Sequence, residues 1–506
     1  MDCPQRISSL SRSWPLHDTA GSRQVEALAA PGLPPHTLMQ RAGLAVARLA
    51  LALAPHAQRI WVAAGPGNNG GDGFEAALHL QRAGKQVRVT AIGASAERPA
   101  DAAASLARAQ AAGVTIESVV PMVLDCEMAI DALLGLGATR PSAGAIDEVL
   151  CRFNAQAGQR LAVDLPSGLD ANTGVAHGDN AARACHTLSL LTLKPGLFTA
   201  QGRDHAGEVW FDDLGAGDVG AQVRARAWLG GADAAEELRV PRRHAQHKGS
   251  FGDVVVVGGA AGMTGAVSLA GRAALAAGAG RVYVCGLDPA GPNQDSLWPE
   301  LMLRPNFLRV PAASLASATV VCGCGGGDAV RDALPLLLAR SARLVLDADA
   351  LNAIASDRTL QALLSARAGR GQATVLTPHP LEAARLANAA NVAEIQADRL
   401  GQAERVSARF GCVVLLKGSG TVIAAPQQSS TINASGNARL ASAGTGDVLA
   451  GWLGGLWSAM QARATPPLAH RVALAAAWLH GAAANEGDDR SPLTASRLLQ
   501  RLAATD

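Results

Sequence analysis

The stretch RIWVAAGPGNNGGDGFEAALHLQRAG, residues 59–84, decides the fold of this chain. Its apolar run Ile60–Ala63 is typical of a parallel strand that is buried on both faces. A glycine-rich turn follows, and the alanine-rich segment from Phe74 predicts a helix. A strand, a tight turn and a helix in this order predict βαβ units and therefore a parallel sheet.

Similar runs recur along the chain and predict further strands that alternate with helices. The segment from about Asp218 to His247 interrupts them, because it is charged and contains no strand-like run. The halves on either side carry different glycine motifs. The expected fold is therefore α/β with two doubly wound domains, residues 1–225 and 226–506. The recurring runs are QVRVTAIG (86–93), RLAVDLPSG (160–168), GDVVVVGG (252–259), RLVLDADALN (343–352) and CVVLLKGSG (412–420).

The composition argues against several classes of partner. With 44 Lys and Arg against 42 Asp and Glu, the formal charge is +2, so the basic excess of a nucleic-acid-binding or membrane-surface protein is missing. No apolar run reaches the roughly 18 residues that a membrane span requires. The eight cysteines lack the paired spacing of a structural zinc site, and the first residues do not resemble a secretory signal. We expect reduced thiols and a cytoplasmic protein, and a homo-oligomer is left open.

Three polar loops follow predicted strands in the N-terminal half. GPGNNGGDG (65–73) combines glycines with Asn and Asp, which favours an anion-binding loop over a merely tight turn. AIDALLGLGATRPSAG (129–144) places Asp131 at a strand end, where a cap or turn role is the alternative. VDLPSGLDANTG (163–174) adds Asp164. Because ligands of doubly wound sheets bind beyond the carboxyl ends of the strands, the three loops predict one pocket.

These loops and HTLMQRAG (36–43) resemble the YjeF N-terminal family of NAD(P)H-hydrate epimerases, over most of residues 15–215. The resemblance implies a Rossmann-like domain in which Asp164 touches the substrate. It also implies a potassium ion held by Asn69, Asp131 and Ser167, whose oxygen atoms suit a hard cation. The hydrate site implied by the family is lined by Asn68, Asn69, Gly70, Gly71, Asp72, Gly135, Leu136, Gly137, Ala138, Thr139, Arg140 and Pro141.

The chemical step in this half depends on one or two side chains. Epimerisation at C6 of the hydrated nicotinamide ring needs acid–base assistance, for which Asp164 is the candidate catalytic residue. Lys194, in TLKPG (192–196), is a second candidate, although an exposed structural lysine is the favoured interpretation. Phe74 stands where the family more often has an aliphatic residue, a change that we expect to concern packing.

In the C-terminal half the most informative motif is ASAGTGDVLAG (441–451). Gly444 and Gly446 free the backbone to form an anion hole at the start of the next helix. Asp447, beside that hole, is the candidate catalytic residue, because a carboxylate there can accept the proton of an attacking hydroxyl during phosphoryl transfer. The alternative is an ordinary acidic residue that compensates the helix dipole.

This motif and four others resemble the ribokinase-like fold and, within it, the ADP-dependent NAD(P)H-hydrate dehydratases. The others are HKGSFGDVVVVGGAAGMTG (247–265), LDADALN (346–352), LTPHPLEAARL (376–386) and LLKGSGTVIAA (415–425). The family usually has G-P-G-L-G where this chain has GCGGG (323–327), so Cys324 replaces a proline. The resemblance implies that Ala266, Gly325 and His379 contact the hydrate, that Lys417, Gly418, Ser419, Gly420, Thr421 and Gly446 contact the nucleotide, and that Asp447 contacts the reacting hydroxyl.

Together the two resemblances imply a bifunctional repair enzyme. Its N-terminal domain would interconvert the R and S NAD(P)H hydrates. Its C-terminal domain would dehydrate the S epimer with ADP to NAD(P)H, AMP and phosphate, with magnesium on the nucleotide. The alternatives are ATP as the donor, or a small-molecule kinase fused to a non-catalytic nucleotide-binding module. For two residues a role without ligand contact is the alternative: His379 could brace a turn between its prolines, and Lys417 could be a solvated lysine.

Overall fold

The computed structural model describes most of the chain, which folds into two compact units. The first comprises residues 3–8 and Trp14–Trp228, and the second comprises Leu229–Asp506 together with residues 12–13. Within the described ranges, no helix combines the length and the apolar character needed to cross a membrane. The described residues are 3–8, 12–93, 98–120, 124–238, 242–304, 312–460, 468–485 and 491–504.

Strands and helices alternate along the first unit, as the apolar runs predict. Its strands are Gln5–Arg6 (β1), Trp14–Leu16 (β2), Arg59–Ala64 (β3), Gln86–Ala91 (β4), Thr115–Glu117 (β5), Met128–Ala132 (β6), Gln159–Val163 (β7), His186–Leu190 (β8) and Glu208–Asp212 (β9). Its α-helices are Thr19–Ala29 (α1), Thr37–Leu53 (α2), Asn68–Arg82 (α3), Ala100–Ala111 (α4), Ala145–Asn154 (α5) and Gly202–Ala206 (α6).

The sheet of the first unit has the strand order β1-β9-β8-β7-β6-β3-β4-β5. All neighbouring strands are parallel except β1 and β9, which are antiparallel. The chain runs outward from β3 through β4 and β5 and then returns to place β6 on the other side of β3. This reversal is a topological switch point, where doubly wound sheets bind their ligands beyond the carboxyl ends of the strands.

Helix α3 carries the first glycine motif directly against the sheet. A Cβ atom on Gly73 would lie only 2.6 Å from the Cβ of Ala132 at the end of β6, so glycine permits this close approach. Phe74 is fully buried in a core that includes Val62 and Ile130. The aromatic ring at position 74 is therefore a packing element, as expected.

The second unit continues the alternation of strands and helices, and a short strand, Ala227–Leu229 (β10), lies where the chain enters it. Its strands are Asp253–Gly258 (β11), Arg281–Gly286 (β12), Met302–Leu303 (β13), Thr319–Cys322 (β14), Arg343–Leu346 (β15), Ala373–Leu376 (β16), Val413–Leu416 (β17), Thr421–Ala424 (β18) and Thr431–Asn433 (β19). Its α-helices are Asp233–Glu236 (α7), Thr264–Ala276 (α8), Ala312–Ser317 (α9), Val330–Arg340 (α10), Ala348–Ser356 (α11), Arg358–Gly369 (α12), Pro380–Ala387 (α13), Val392–Ala397 (α14), Arg399–Phe410 (α15), Thr445–Ala459 (α16), Ala469–Asn485 (α17) and Ala495–Ala504 (α18).

The strands of this unit lie in the order β13-β12-β11-β14-β15-β16-β17-β18-β19. The run from β13 to β17 is parallel, and β18 and β19 continue it in antiparallel fashion. A second switch point lies between β11 and β14, which are followed by two of the glycine-rich loops. The expected fold class, α/β with two doubly wound domains, is confirmed.

Close packing of two helices fixes the start of α16. A Cβ atom on Gly451 would lie 2.0 Å from the carbonyl oxygen of Ala270 in α8, and one on Gly455 would lie 2.2 Å from that of Ala274. Only glycine at these positions lets α16 approach the alanine-rich α8 so closely. The first turn of α16, which carries Asp447, is therefore held by a rigid contact behind it.

Candidate active sites

A cavity of about 1090 Å³ lies beside the switch point of the first sheet. It is at the upper end of the roughly 300–1,000 Å³ of ordinary ligand pockets, so it has room for a large ligand. The loops after β3, β6, β7 and β8 form its walls together with α1. Many of the residues that the sequence suggested for the hydrate site line this cavity: Asn68, Asn69, Asp72, Gly135, Leu136, Gly137, Ala138, Thr139, Arg140, Pro141 and Asp164.

Gly70 and Gly71 are packed into the first turn of α3 and do not line the cavity. A Cβ atom on Gly70 would lie 2.0 Å from the carbonyl oxygen of Gly65, and one on Gly71 would lie 2.5 Å from the sulfur of Met39. Their lack of a side chain therefore lets the helix start close to its own loop and to α2.

Asp164 and Lys194 form an ion pair in the wall of the cavity. Asp164 has a φ angle of 67°, in the left-handed region that non-glycine residues rarely adopt. Its carboxylate accepts a hydrogen bond from the backbone N–H of Leu190 at 3.1 Å and another from the ammonium of Lys194. Such strained residues persist where surrounding contacts hold them, and they are common in active sites.

Lys194 is buried, with only 1% of its side chain exposed. Its ammonium also donates to the carbonyl oxygen of Leu190 at 3.0 Å and to the hydroxyl of Ser189 at 3.3 Å. The expectation of an exposed structural lysine is therefore wrong. The charge can be buried because one carboxylate and two neutral acceptors replace its water.

Asp72 lines the same cavity from the second turn of α3. Burial raises the pKa of its carboxyl well above the usual range, and the nearby charge of Asp164 raises it further. The cavity thus combines the Asp164–Lys194 ion pair with a carboxyl whose pKa is raised. Two carboxyl groups in unlike environments are the usual basis for separate acid and base roles.

Asp131 connects the loops after β6 and β7. Its buried carboxylate accepts hydrogen bonds from the hydroxyl of Ser167 at 2.6 Å, from the N–H of Ser167 at 2.8 Å and from the N–H of Leu133 at 3.2 Å. Burial raises the pKa of Asp131 to about 6, although these hydrogen bonds oppose the shift. Neither Asp131 nor Ser167 is among the residues that line the cavity. The turn-forming role that the sequence left open for Asp131 is present in these contacts.

Asn69 is the buried polar group of this site that lacks a partner. It is 8% exposed, and among the described residues neither its Oδ1 nor its Nδ2 has a hydrogen-bond partner. An ideal Cβ on Gly135 would lie 3.4 Å from the Cβ of Asn69, so the loops after β3 and β6 touch here. A buried amide without a partner is costly, which indicates that a ligand completes its surroundings.

Helix α1 contributes three cavity residues that the sequence did not suggest, Ser22, Arg23 and Glu26. The helix is short, and Asp18 caps it by accepting the N–H of Gly21 at 2.8 Å. No glycine motif marks it. An Arg and a Glu three residues apart on a short helix are usually a solvated face, so the sequence held no usable signal for their location.

In the second unit Asp447 lies in the first turn of α16, three residues after the N-cap Gly444, whose φ angle is 85°. It lies close to the carboxylate of Asp347 and the thiol of Cys324. Each of the three residues offers one atom that could bind a metal ion, and these atoms all lie within 4.8 Å of one another. Burial raises the pKa of Asp447 to about 6, and the charge of Asp347 contributes, while a hydrogen bond from Cys324 lowers it.

Lys417 reaches this cluster from the end of β17. Its ammonium lies 2.7 Å from Oδ1 of Asp347, and the hydroxyl of Thr377 donates to the same oxygen at 2.8 Å. Only 20% of the Lys417 side chain is exposed, so the alternative of a solvated lysine is wrong. Burial lowers the pKa of Lys417, but Asp347 and Glu382 outweigh it and raise the pKa above the usual value. Asp347 belongs to LDADALN, although the sequence assigned it no role.

The loop after Lys417 is held from beneath by Arg399, a residue that is 1% exposed. Its guanidinium donates to the carbonyl oxygens of Leu416, Lys417 and Gly420 at 3.3, 3.1 and 3.4 Å. Gly418 and Ser419 are exposed, whereas Gly420 is buried and Thr421 begins β18. The segment suggested for nucleotide binding therefore exposes Gly418 and Ser419, while Arg399 fixes the backbone on either side of them.

The GCGGG loop brings together two residues suggested for the hydrate. Gly325 has a φ angle of 56°, and a Cβ there would lie 2.9 Å from the Cβ of Ala266. Cys324 is fully buried, and burial, Asp447 and Asp347 together raise the pKa of its thiol well above the usual range. The residue that replaces the family's proline therefore lies next to the candidate catalytic carboxylate.

His379 caps α13. Its Nδ1 accepts hydrogen bonds from the N–H groups of Leu381 at 3.1 Å and Glu382 at 3.4 Å, while Nε2 lies 3.2 Å from a carboxylate oxygen of Glu382. This is the turn-bracing role that the sequence left open. The side chain is 47% exposed, so one edge of the ring remains accessible to a ligand.

Comparison with known proteins covers both units. A family model described as YjeF-related protein N-terminus matches residues 35–196, and one described as NAD(P)H-hydrate dehydratase matches residues 254–504. The bifunctional NAD(P)H-hydrate repair enzyme Nnr of Escherichia coli K12 is 36% identical over 90% of this chain and 85% of its own length. The ADP-dependent (S)-NAD(P)H-hydrate dehydratase of Neisseria meningitidis is 40% identical over 52% of this chain and 86% of its own.

A solved structure shows a weaker likeness. The ADP/ATP-dependent NAD(P)H-hydrate dehydratase of Bacillus subtilis, co-crystallised with ATP and Mg²⁺, has a TM-score of 0.41 and 25% identity, over 53% of this chain and 95% of its own. The chain belongs to the family of bifunctional NAD(P)H-hydrate repair enzymes, with an epimerase-like N-terminal domain and an ADP-dependent dehydratase C-terminal domain.

Proposed function

We propose that residues 1–225 interconvert the R and S epimers of NAD(P)H hydrate and that residues 226–506 dehydrate the S epimer with ADP, yielding NAD(P)H, AMP and phosphate. The observation that carries the proposal is the placement of Asp447 at the start of α16, beside the Lys417–Asp347 ion pair. A base, a cation and a helix N-terminus at one place are what phosphoryl transfer needs.

In the dehydration, Asp447 accepts the proton of the C6 hydroxyl as its oxygen attacks the terminal phosphorus of ADP. AMP leaves with the electrons of the broken phosphoanhydride bond. The free N–H groups at the start of α16 and the ammonium of Lys417 stabilise the charge on the transferring group. Phosphate then leaves C6 with its bonding electrons while the ring nitrogen donates its lone pair. Loss of a proton from C5 restores the C5–C6 double bond.

Magnesium fits the donors of this site in part. Carboxylate oxygens of Asp347 and Asp447 lie close enough to share an ion, whereas the thiol of Cys324 is a poor ligand for Mg²⁺. In the reacting complex Asp347 would hold the ion while Asp447 serves as the base, and the ion would supply positive charge to the nucleotide phosphates. Lys417 to Thr421 and Gly446 would contact ADP, and Ala266, Gly325 and His379 would contact the hydrate.

In the epimerisation, the C6 carbon carries both a hydroxyl and the ring nitrogen, so it can open like any hemiaminal. Asp164, oriented by Lys194, takes the hydroxyl proton while the C6–N1 bond breaks, and Asp72 gives its proton to N1. Rotation of the resulting aldehyde and closure on its other face return both protons and invert C6. Residues 68–72 and 135–141 would hold the rest of the substrate.

Potassium fits the neighbourhood of Asn69. Its amide oxygen is buried without a partner among the described residues, and a hard monovalent cation would satisfy it. Asn69, Asp131 and Ser167 would hold the ion, which would add a fixed positive charge beside the cavity. The cytoplasmic location and self-association stay predictions.

The test uses the full chain and separated epimers of NADPH hydrate, with recovery of dihydronicotinamide absorbance as the readout. We expect the S epimer and ADP to give NADPH, AMP and phosphate in equal amounts, and the R epimer to be repaired after epimerisation. Asp447→Asn should lose repair but still interconvert the epimers. Consumption of nucleotide without recovery of absorbance would indicate the small-molecule kinase instead, and recovery without nucleotide would exclude phosphoryl transfer.

A further inference from the structure

Helix α17 holds the segment that leads to Asp447. Four side chains of this segment donate hydrogen bonds to backbone carbonyl oxygens of α17, so the segment is fixed along the helix. The bonds run from Asn433 to Ala477 at 3.0 Å, from Ser435 to Trp478 at 3.0 Å, from Asn437 to Ala484 at 3.2 Å and from Arg439 to Ala484 at 3.4 Å.

His480 makes the bond in the opposite sense, from the helix to the segment. Its Nε2 lies 2.9 Å from the carbonyl oxygen of Thr445, and the side chain is 7% exposed. A carbonyl oxygen can only accept, so Nε2 carries the proton and donates it. Burial lowers the pKa of His480 to about 4, so the ring is neutral at physiological pH.

The carbonyl held by His480 shares its peptide unit with the N–H of Gly446. A trans peptide is planar, with its C=O and N–H pointing in opposite directions, so fixing the oxygen also fixes the N–H. Gly446 is the second residue of α16, and its N–H is therefore one of the four that have no acceptor within the helix. An ideal Cβ on Gly446 would lie 3.5 Å from Nζ of Lys417, which places this peptide at the reacting centre.

Thr445 is fixed on its other side as well. Its hydroxyl lies 2.8 Å from the carbonyl oxygens of both Leu440 and Ser442, and either oxygen can accept a hydrogen bond from it. The side chain and the carbonyl of Thr445 are thus both anchored. The N–H of Gly446, in the peptide that follows Thr445, is left to donate a hydrogen bond to a ligand.

We propose that His480 is a positioning residue for phosphoryl transfer, which holds the Thr445–Gly446 peptide so that the Gly446 N–H faces the transferring phosphoryl group. The proposal rests on the proposed dehydratase function. His480 touches neither substrate. It acts through one backbone unit, and it stabilises the transition state because the donor needs no reorientation as charge develops.

The decisive variants are His480→Gln and His480→Asn in the full chain. Both carry an amide donor, but the Gln amide nitrogen reaches about as far as Nε2 of histidine, whereas the Asn amide is one methylene shorter. We expect kcat for dehydration of the S epimer to stay within about threefold of wild type in His480→Gln and to fall at least about tenfold in His480→Asn. KM for the hydrate should change less than about threefold in both variants.

The matched control is His470→Gln, ten residues earlier in α17 and so about 15 Å away along the helix axis. It should retain the wild-type kcat. The dissociation constant for ADP, measured without hydrate, and the unfolding temperature show whether each variant keeps a folded site.

Equal kcat values for the Gln and Asn variants would overturn the positioning role, whether both are active or both are inactive. So would a loss of kcat in His480→Asn that is matched by an equal loss of ADP affinity, because that would reflect a damaged site. A wild-type chain that fails to dehydrate the S epimer with ADP would overturn the dehydratase function and this inference together.

Discussion

The ammonium of Lys417 lies 2.7 Å from Oδ1 of Asp347, a carboxylate that is 2% exposed and also accepts the hydroxyl of Thr377. Lys417→Met removes the cation and leaves a buried charge without its partner, which costs about 3 kcal/mol. We expect a lower melting temperature and a KM for ADP that rises at least about tenfold.

Lys417→Arg is the matched control for this pair. It keeps the charge, so most of the stability should return, while its planar guanidinium restores ADP binding only in part. Calorimetry and initial rates with varied ADP measure both effects. Wild-type melting and wild-type KM in Lys417→Met would show that the pair has neither role.

The pH dependence of dehydration should follow Asp447. Because a general base must be ionised and the pKa of Asp447 is about 6, kcat/KM for the S epimer should rise with pH and reach half its plateau near pH 6. The folded-state pKa also lies above the ordinary value for Asp. The folded protein therefore binds this proton more tightly than the unfolded chain, and the free energy of unfolding should fall from about pH 4 to about pH 6.

Asp447→Asn separates these two effects. It should abolish dehydration. It should also remove the fall of the unfolding free energy between about pH 4 and about pH 6 that Asp447 causes, which denaturant titration at several pH values would measure. A rate that rises toward low pH would contradict a base at this position.

Cys324 should lower the pKa of Asp447. Its thiol donates a hydrogen bond that lowers the pKa of that carboxyl, so Cys324→Ala should move the inflection of the pH–rate profile upward, by about half a pH unit. Cys324→Ser keeps a donor and should leave the inflection near its wild-type position. An unchanged inflection in Cys324→Ala would show that the thiol fills space only.

The epimerase step should depend on Lys194. Lys194→Met leaves Asp164 without the cation that orients it, so repair of the R epimer should slow at least about 100-fold. Repair of the S epimer should be unchanged, because it needs only the second unit. Rates for the two separated epimers in the same preparation provide the comparison, and an equal slowing of both would point to misfolding of the chain.

The features that the sequence could predict are local ones. The strand, glycine turn and helix around Asn68 are encoded within 26 consecutive residues, 59–84, and the doubly wound fold that they predicted is confirmed. Burial of Lys194 was missed because its partner Asp164 is 30 residues away in the chain, and only the tertiary fold joins them. Nothing near position 194 reveals whether that charge is paired or solvated.

The same reason explains why supporting residues escaped prediction. Arg399 donates to carbonyl oxygens from Leu416 onward, 17 or more residues later in the chain, and His480 binds Thr445, which lies 35 residues earlier. An arginine or a histidine on an amphipathic helix is ordinarily at the surface. Both became visible as supports only when the structure placed backbone carbonyl groups against their buried side chains.

The most direct test of the central claim follows one oxygen atom. In S-NADPH hydrate labelled with ¹⁸O at the C6 hydroxyl, phosphoryl transfer makes that oxygen a bridge between C6 and phosphorus, and the later break at C6 leaves it on phosphorus. Mass spectrometry of the products formed with ADP should therefore find one ¹⁸O in each molecule of inorganic phosphate. Unlabelled phosphate with the ¹⁸O in water would contradict phosphorylation of the hydroxyl and the role assigned to Asp447.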